Sequence, residues 1–462
     1  MEARTLDFVC RACGGELICG SPEAKVLRVS TDSRQVRAGD LFVAIKGDKF
    51  DGHDFVPDVI SKGATAVLVE RARATSGNAA VIAVEETRKA LGQLGARYRS
   101  DFKIPVIGIG GSNGKTTTKE LIAAVLRQEL PTVWSEASFN NDIGVPLTLL
   151  NIESQHRAAV LEVGTNHPGE LPALVRLIQP GIGVITSIGR EHLEHFHDVE
   201  GVANEEGWLA ELLPGNGVLL LNGDSEWSDR IARRSAARLM RVGAGAGNDW
   251  RGEFVAMRET GVTFRVSSPR ADFNGEYEVG LLGRHQVTNA VLALAVAAEL
   301  GLSADKARAG LATAKPPKMR MQFWEAGGVR VLDDCYNANA DSMLAALETL
   351  ADLPCAGKRV AVLGDMAELG EHTAAAHEEI GRRAAELKID RVVAVGKFAR
   401  RTADAAAEGG LEAKIFSDVT AAASELPKLV KTGDLILLKA SRSTGLERLG
   451  EALRNPTQQK PL

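Results

Sequence analysis

The stretch that decides the fold is Val106-Ile-Gly-Ile-Gly-Gly-Ser-Asn-Gly-Lys-Thr-Thr-Thr118. A short apolar strand runs into several glycines, the triplet Gly114-Lys115-Thr116 follows, and a helical pattern continues from Lys119. Glycines allow backbone N–H groups to close around phosphate oxygens, and the start of a helix adds partial positive charge. In such a loop the lysine reaches the β- and γ-phosphates, and the threonine hydroxyl holds Mg²⁺. The stretch therefore predicts a nucleoside triphosphate site built on Lys115 and Thr116.

The spacing of the glycines departs from the usual GxxxxGK[ST] pattern. Ile109 stands where the first glycine is expected, and glycines fall instead at 108, 111 and 114. A glycine-rich turn alone is usually only a turn, but here the strand, the triplet and the helix keep one register, which favours phosphate binding. The chain has no NKxD motif for guanine, so ATP is the expected nucleotide. Glu162 ends a neighbouring apolar run, where a carboxylate would help to hold Mg²⁺.

Outward from this loop, apolar runs alternate with helical patterns, a rhythm typical of βαβ units and a mostly parallel sheet. The runs are Val106–Ile109, Val160–Val163, Val184–Ile188 and Val218–Leu221. Residues 250–282 alternate as exposed strands do, and a helix from Asn289 to Leu300 is stopped by Gly301.

The chain divides at two composition changes. Before residue 104 the strand-like runs are short and are separated by Gly- and Asp-rich turns, and a second βαβ series follows the linker Lys315-Pro-Pro317. We therefore expect an α/β protein with three domains, at residues 1–103, 104–314 and 315–462.

Composition excludes several classes of protein. The 462 residues are 45% hydrophobic and 25% charged with a net charge of −5, which argues against a disordered chain and a nucleic-acid surface. No apolar segment is long enough for a signal peptide or a membrane span, so we expect a cytoplasmic protein. The five cysteines, an odd number, favour reduced thiols over a disulfide framework, and Cys10-x-x-Cys13 has only half of a zinc spacing.

The altered loop Gly111-Ser-Asn-Gly-Lys-Thr-Thr117 resembles that of the Mur ligase family, ATP-dependent enzymes that build the peptidoglycan peptide. Further blocks extend the resemblance over essentially the whole chain: Thr31-Asp-Ser-Arg34, Gly39-Asp-Leu-Phe-Val-Ala44, Asp51-Gly-His-Asp54, Ser138-Phe-Asn-Asn-Asp-Ile-Gly-Val-Pro-Leu147, Glu162-Val-Gly-Thr-Asn-His-Pro-Gly-Glu170, Asp333-Asp-Cys-Tyr-Asn-Ala-Asn339 and Leu363-Gly-Asp-Met-Ala-Glu-Leu-Gly370. The Asp-Asn-Pro-Arg motif of the sister ligase that adds the third amino acid is absent from this sequence.

The resemblance implies a small N-terminal α/β domain for the UDP end of the substrate, a central P-loop ATPase domain with a parallel sheet, and a C-terminal Rossmann-like domain. It implies a ligase that uses ATP and Mg²⁺ and acts on small molecules. The carboxylate of a UDP-N-acetylmuramoyl-tripeptide would attack the γ-phosphate of ATP, and the amine of D-Ala-D-Ala would displace phosphate from the resulting acyl phosphate. Nothing in the sequence requires more than a monomer.

The resemblance also assigns roles to residues. Lys115, Glu162, His192 and Glu206 would be catalytic, with Thr116 and Glu162 on one Mg²⁺ and His192 on a second. The nucleotide would be held by Gly111, Ser112, Asn113, Gly114, Lys115, Thr116, Thr117, Asn289, Arg320, Asp334, Tyr336 and Asn337. The other substrates would meet Ser33, Arg34, Asn140, Asn141, Thr165, Asn166 and His167, with the first two at the UDP end.

The histidines allow more than one interpretation. His192, His195 and His197 lie within six residues, and from the residues alone a transition-metal site and a solvated loop are both open. His53 and His377 could equally be functional or capping residues, since the environment decides the role of a histidine.

One departure from the family pattern concerns the second metal ion. The family's histidine block is Ile188-Gly-Arg-Glu-His-Leu-Glu194 in this sequence. After that block most members carry a lysine, which is carbamoylated by CO₂ and helps to hold this ion, but here the place of the lysine falls at Glu206. No lysine occurs between Lys119 and Lys306. Either Glu206 supplies its own carboxylate, which offers the same oxygen ligands, or the second ion is held differently. Glu205 is the alternative if the register is shifted by one.

Two other functions remain open from the sequence. A sister ligase of the same family would add a single amino acid, and a P-loop ATPase used as a regulator would hydrolyse ATP without the peptide substrate. The regulator leaves the first 100 residues unexplained.

Overall fold

The computed structural model describes residues 1–75 and 79–454 and contains three main sheets that follow one another along the chain. Each sheet has helices packed on it, and each forms the centre of one domain, which we call N-terminal, central and C-terminal. The α/β class expected from the sequence is confirmed. Among the described residues no helix is long and apolar enough to cross a membrane.

The N-terminal domain has a five-stranded sheet in the order β2-β7-β6-β5-β4, parallel except for β2, and a small β1–β3 pair. Its strands are β1 (Arg4–Thr5), β2 (Glu16–Cys19), β3 (Lys25–Val26), β4 (Arg28–Ser30), β5 (Asp40–Val43), β6 (Ala66–Glu70) and β7 (Ala80–Val84), and its helices are α1 (Leu6–Cys13), α2 (Val56–Ser61) and α3 (Thr87–Arg99). All five cysteines of the chain are free thiols, and burial raises the pKa of Cys13 to about 11.

The central domain has a nine-stranded sheet in the order β16-β15-β14-β13-β12-β11-β8-β10-β9. Its strands are β8 (Val106–Gly110), β9 (Thr132–Trp134), β10 (Ala158–Glu162), β11 (Ile182–Ile185), β12 (Val218–Asn222), β13 (Arg238–Gly243), β14 (Trp250–Arg258), β15 (Gly261–Ser267) and β16 (Gly275–Val279). Its helices are α4 (Lys115–Leu126), α5 (Gly144–Leu150), α6 (Glu170–Ile178), α7 (Leu193–Phe196), α8 (Val199–Glu211), α9 (Ser228–Ala232), α10 (Gln286–Glu299) and α11 (Ala304–Thr313). The pairs from β9 to β14 are parallel, and the last three strands form an antiparallel extension.

Strand β8 lies in the middle of the parallel region, and its two faces differ. Ile107 and Ile109 belong to the apolar core that includes α4 and α10. Gly108 and Gly110 face α6 and α8 on the other side, where a Cβ on Gly108 would lie 2.9 Å from Ile178 of α6 and one on Gly110 would lie 2.6 Å from Glu206 Oε2 of α8. The glycines of this strand therefore make room for α8 and for the carboxylate that it carries.

The C-terminal domain has a six-stranded sheet in the order β17-β18-β22-β19-β20-β21, parallel except for β17. Its strands are β17 (Gln322–Ala326), β18 (Val329–Asp334), β19 (Arg359–Gly364), β20 (Arg391–Val395), β21 (Glu412–Phe416) and β22 (Leu435–Lys439). Its helices are α12 (Ala340–Asp352), α13 (Thr373–Glu386), α14 (Ala399–Glu408), α15 (Val419–Leu429) and α16 (Glu447–Arg454).

Two elements differ from their predicted bounds. The predicted strand Val184–Ile188 lies at Ile182–Ile185, because Thr186 and Ser187 leave the sheet to bond to the glycine-rich loop. The helix predicted from Asn289 begins three residues earlier, at Gln286, and is buried on nearly all sides, as its uniformly apolar sequence requires.

The central domain contacts its two neighbours in different ways. Helix α3 packs on α5 through Gly95, whose added Cβ would lie 3.0 Å from Pro146, and the core is continuous across this boundary. The boundary with the C-terminal domain is richer in charge: Arg190 donates to Asp341 Oδ1 at 2.7 Å and to Glu379 Oε2 at 2.6 Å. The first boundary is an apolar joint, whereas the second combines ion pairs with a buried apolar cluster to which the central domain contributes Leu193 and Phe196.

Candidate active site

The glycine-rich loop connects β8 to α4 and opens into a cavity of about 1440 Å³ between the domains. Gly111 and Gly114 have φ values of +111° and +86°, which a residue with a side chain rarely adopts. A Cβ on Gly114 would lie 2.7 Å from Asn289 Oδ1. The loop therefore has no space for side chains at the points where its backbone turns toward the helix N-terminus.

Most of the residues predicted to bind nucleotide, metal or substrate line this one cavity. They are Ser112, Asn113, Gly114, Lys115, Thr116, Thr117, Asn140, Asn141, Glu162, Thr165, Asn166, His167, His192, Asn289, Arg320, Asp334, Tyr336 and Asn337. Gly111 and Glu206 do not line the cavity: Gly111 begins the loop, and its N–H donates to Glu206 on the side away from the cavity. The carboxyl ends of β8, β10 and β11 all point to this cavity, as is usual for ligand sites of parallel sheets.

Lys115 occupies the centre of a cluster of carboxylates. Its Nζ lies 3.3 Å from Glu191 Oε2 and donates to the carbonyl oxygens of Gly111 and Ser112. Burial opposes the charged form of this lysine, but the surrounding carboxylates outweigh that effect and raise the pKa of Lys115. The contributing groups are Glu191, Glu206 and Glu162. The ammonium is therefore charged and faces three acids.

Glu206 points from α8 to the back of the loop and is completely buried. Its Oε2 accepts the N–H of Gly111 at 2.6 Å, while its Oε1 has no hydrogen-bond partner. Burial raises the pKa of Glu206 to about 8, although the charge of Lys115 acts in the opposite direction. The acid at the predicted position thus interacts electrostatically with Lys115 and has one oxygen free.

Glu205, the alternative to Glu206, has a different role in the structure. Its carboxylate accepts the N–H groups of Gly169 and Leu171 at 3.0 and 2.9 Å and so caps the N-terminus of α6. Both oxygens are engaged, and capping of this kind stabilises a helix by about 1 kcal/mol.

Three oxygens at the site lack the partners that buried polar atoms normally have. Among the described residues eight buried side-chain nitrogen or oxygen atoms make no hydrogen bond, and three of them are Thr116 Oγ1, Glu162 Oε2 and Glu206 Oε1. Asn140 donates to the other oxygen of Glu162 at 2.9 Å and so fixes the carboxylate. These donors fit a hard cation such as Mg²⁺, which selects oxygen ligands.

No group of three or more His, Cys, Asp or Glu side chains within residues 1–75 and 79–454 is arranged to hold a metal ion. This finding agrees with Mg²⁺ sites in which one or two carboxylates act together with substrate phosphates and water. The cluster of histidines is not a transition-metal centre in this part of the chain: the rings of His195 and His167 pack at 4.2 Å, and the His197 carbonyl lies 3.0 Å from His372 Nε2.

His192 lies at the edge of the carboxylate cluster, and its ring is held from both sides. Its Nδ1 is 2.5 Å from Glu368 Oε2, and its Nε2 is 3.9 Å from Glu191 Oε2. Glu368 comes from the C-terminal domain, so this histidine bridges two domains. The hydrogen bond from His192 lowers the pKa of Glu368.

The residues predicted to bind the nucleotide make hydrogen bonds and stacking contacts with one another and with their neighbours. Asn289 accepts from Thr118 Oγ1 at 3.2 Å and donates to Gln286 at 2.9 Å. The Arg320 guanidinium lies 4.2 Å from the ring centre of Tyr336, whose hydroxyl contacts Ser138. These contacts bring the C-terminal domain to the mouth of the loop.

Ser33 and Arg34 do not line the cavity. The Arg34 side chain is exposed and pairs with Asp32 at 2.8 Å, which lowers the pKa of Asp32 to about 2. Their predicted place at the UDP end of the substrate stays a prediction.

Sequence reasoning missed several residues of the site. Glu191 lies in the histidine block and was assigned no role from the sequence, although it is the acid in contact with Lys115. Lys439 is buried and bonds to Asp334 and to the Asn337 carbonyl, at 2.5 and 3.1 Å, so both predicted residues are held from behind. The signal for Lys439 was a charged residue ending the apolar run of β22.

His53 and His377, whose roles were open, both accept a backbone N–H at Nε2. His53 accepts from Glu70 at 3.0 Å, and His377 accepts from Met366 at 3.1 Å. Each ring contacts an oxygen through Nδ1, Asp51 Oδ1 for His53 and the Thr373 carbonyl for His377. They fix loops rather than face the cavity.

Three family profiles match the chain. The Mur ligase middle domain matches residues 109–297, the Mur ligase glutamate ligase domain matches 319–442, and the Mur ligase family catalytic domain matches 25–99.

Individual proteins are similar over nearly the whole chain. The UDP-N-acetylmuramoyl-tripeptide–D-alanyl-D-alanine ligase of Escherichia coli is 36% identical over 92% of this chain and 93% of its own length. The ligase of the same name from Bacillus subtilis is 34% identical over 97% and 98%.

Solved structures give the same result. A crystal structure of MurF from Acinetobacter baumannii has a TM-score of 0.89 at 33% identity and covers 98% of this chain and 99% of its own. MurF ligase from Thermotoga maritima in complex with ADP has a TM-score of 0.80 at 29% identity and covers 93% and 97%.

Proposed function

This chain belongs to the Mur ligase family, and on that premise we propose that it joins D-Ala-D-Ala to UDP-N-acetylmuramoyl-tripeptide with ATP. The observation that carries the proposal is one cavity in which the phosphate loop, the unpartnered oxygens of Thr116 and Glu162 and most of the predicted substrate residues meet. Relatives at about 35% identity over nearly the full length carry the name of this activity.

The proposed reaction has two steps. The C-terminal carboxylate of the tripeptide attacks the γ-phosphorus of ATP, so that an acyl phosphate forms and ADP leaves. The D-Ala-D-Ala amine then attacks the acyl carbon, phosphate leaves, and the amine loses a proton as the amide forms. The first step brings a carboxylate against the phosphates, and the second develops negative charge on the acyl oxygen and the departing phosphate, so the site must supply positive charge and N–H donors.

The residues of this chain supply both. The backbone N–H groups of the loop and the N-terminus of α4 bind phosphate oxygens, and Lys115 neutralises charge at the transferred phosphoryl group. Arg320 adds a second cation from the C-terminal domain, where its stacking on Tyr336 holds it at the cavity wall. The domains exclude water as they close, which protects the acyl phosphate from hydrolysis.

Mg²⁺ fits the donors of the site. Thr116 and Glu162 would hold one ion, and His192 and Glu206 would hold the second. When bound, Mg²⁺ neutralises phosphate charge and orients the phosphates. Asn140 keeps the free oxygen of Glu162 turned into the cavity.

Glu206 takes the place of the carbamoylated lysine in this proposal. The free Oε1 beside Lys115 supports it, as does the engagement of both Glu205 oxygens at α6. The carboxylate needs no CO₂ to become a ligand. A second ion held by other groups is the competing explanation, and the bicarbonate test below separates the two.

We further propose domains at 1–103, 104–314 and 315–462, with the UDP group on the first; residues 455–462 lie outside the described residues. The enzyme would act in the cytoplasm as a monomer on small-molecule substrates, without nucleic acid or membrane as a partner. Size-exclusion chromatography with light scattering tests the monomer.

The experiment is release of phosphate from ATP in the presence of UDP-N-acetylmuramoyl-tripeptide and Mg²⁺. Three conditions are compared: no second substrate, a single amino acid, and D-Ala-D-Ala. Release that depends on D-Ala-D-Ala is the expected result. Release with a single amino acid would identify a sister ligase, and turnover indifferent to all substrates would identify a P-loop ATPase of another function.

A further inference from the structure

The segment Leu363–Gly370 was singled out in the sequence, and the proposed reaction gives it no role. It follows β19 and is fixed at three points. The Asp365 carboxylate accepts the N–H groups of Lys397 and Phe398 at 2.8 and 3.0 Å. Met366 N–H donates to His377, and Ala367 N–H donates to Ser441 Oγ at 2.8 Å. A loop anchored in this way can place the next side chain accurately.

That next residue is Glu368, and it contacts the histidine block of the central domain twice. Its Oε2 lies 2.5 Å from His192 Nδ1, and its carbonyl oxygen accepts the N–H of Glu194 at 3.0 Å. Both Glu368 and His192 have positive φ values, +61° and +48°. Such values persist in residues with side chains only where the surroundings impose them, so this contact is specified from both sides.

The hydrogen bond determines which nitrogen of His192 is available. A carboxylate acceptor at Nδ1 keeps the proton on that nitrogen, and the lone pair is then on Nε2, which faces Glu191 at 3.9 Å. This is the tautomer in which a histidine binds a metal ion. Glu368 is partly exposed, but it is exposed to the same cavity that His192 lines.

We propose that Glu368 is a positioning residue that holds His192 in the orientation and tautomer needed for the second metal ion. Because Glu368 belongs to the C-terminal domain, this metal position is complete only when that domain contacts the central one. The inference rests on the proposed ligase function, and it ties metal binding to domain contact.

A contact between the domains that does not orient His192 would leave the second metal ion unaffected. The chain offers such a contact as a matched control. Glu379 also joins the C-terminal domain to the histidine block, through Arg190 at 2.6 Å, but it does not touch His192. If only the contact between the domains mattered, replacing Glu368 or Glu379 should weaken Mn²⁺ binding equally. If the orientation of His192 matters, only replacing Glu368 should weaken it.

The test uses the full-length protein and its variants E368A, E368Q and E379Q. Mn²⁺ is titrated into each protein with a non-hydrolysable ATP analogue and UDP-N-acetylmuramoyl-tripeptide, and free Mn²⁺ is measured by electron paramagnetic resonance. E368A should weaken the second Mn²⁺ by about 10–100-fold and leave the first unchanged. E368Q keeps an oxygen that accepts from Nδ1 and should recover most of the affinity, and E379Q should bind as wild type does.

Equal Mn²⁺ affinities in E368A and wild type would overturn the inference, as would equal losses in E368A and E379Q. Circular dichroism of each variant checks that the fold is intact, and E368L, which removes the acceptor but keeps the bulk of the side chain, replaces E368A if E368A does not fold. Phosphate release by wild type distinguishes a failure of the proposed function from a failure of the role given to Glu368. Wild-type release without dependence on D-Ala-D-Ala overturns the proposed function, whereas dependent release with unchanged Mn²⁺ binding in E368A overturns only the role of Glu368.

Discussion

In the proposed site, Glu206 would satisfy with an unmodified side chain a requirement that most of the family meets with a modified lysine. The glutamate is shorter, but Gly110 and Gly111 let α8 bring it against the loop backbone. Because burial raises the pKa of Glu206 to about 8, the group must lose its proton to bind a metal ion, but it needs no reaction with CO₂. The chemistry at the second metal ion should then be independent of dissolved CO₂.

We therefore predict that phosphate release by the wild-type enzyme is unchanged when bicarbonate is added or removed. E206A should lose activity by about 100-fold, since it removes a ligand. E205Q is the control, because Glu205 caps α6. This variant should have a clearly lower unfolding temperature and only a slightly lower turnover. A strong requirement for bicarbonate in wild type would contradict the role given to Glu206.

Around the site, glycines that let the backbone lie close to neighbouring residues matter as much as the side chains do. Gly114 has a positive φ, and its Cα faces Asn289 without room for a methyl group. Gly181, between α6 and β11, has no atom within 4 Å of an added Cβ. These two glycines allow the geometry of the loop to be tested directly.

G114A should cost about 1–3 kcal/mol of backbone strain in addition to the clash with Asn289, so ADP should bind at least about tenfold more weakly by calorimetry. G181A should bind ADP as wild type does. Equal affinities in wild type and G114A would show that the loop tolerates a side chain at its turn.

The segment after β19 depends on a neutral histidine. Burial lowers the pKa of His377, whose Nε2 must accept the N–H of Met366. The unfolded chain then binds a proton more readily than the folded one, so the stabilisation is complete above the ordinary histidine pKa of about 6.5 and is lost as pH falls through the lower folded value.

H377Q can keep both hydrogen bonds without titrating. Its unfolding temperature should therefore fall less than that of wild type between about pH 7.5 and pH 5, where histidine titrates. His285 is also buried with a lowered pKa and contributes to both proteins alike. Parallel pH profiles in differential scanning fluorimetry would show that His377 does not couple protons to stability.

Much of the fold and part of the site followed from the sequence because the signals were local. The strand, glycines, Lys115 and Thr116 adjoin one another, and the buried parallel strands appear as continuous apolar runs. Glu191 and Glu368 carried no such signal, since Glu368 is 176 residues from the histidine that it contacts. Strand β11 was displaced for the same reason: Thr186 and Ser187 bond to a loop 73 and 74 positions earlier.

For the whole molecule, the two boundaries of the central domain should respond differently to salt. The contact with the C-terminal domain includes, beside an apolar cluster, the ion pairs of Arg190, which bonds to two acids and is partly exposed. Screening weakens such pairs, and at about 1 M salt the screening length falls to about 3 Å. Within the described part of the chain, the joint at α3 has a single exposed ion pair, Arg88 with Asp142 at 3.1 Å, beside its continuous apolar core, so we expect a weaker dependence on salt there.

We predict that the radius of gyration from small-angle X-ray scattering rises with salt in the ligand-free enzyme. R190A should be expanded already at low salt. Y98F, which removes the hydroxyl that donates to the Ile152 carbonyl at 2.7 Å across the other boundary, is the control and should respond to salt as wild type does. A radius insensitive both to salt and to R190A would show that the C-terminal domain is fixed by other contacts.

The apolar joint also has a consequence for the order of events during synthesis on the ribosome. Leu91, Leu94 and Tyr98 on α3 share a core with α5 and α6, which are translated some fifty to eighty residues later. Until those helices emerge, the nascent N-terminal domain exposes an apolar face, and exposed faces of this kind attract chaperones and promote aggregation. The first domain of this enzyme therefore completes its folding only together with the second, although the two are separate in sequence.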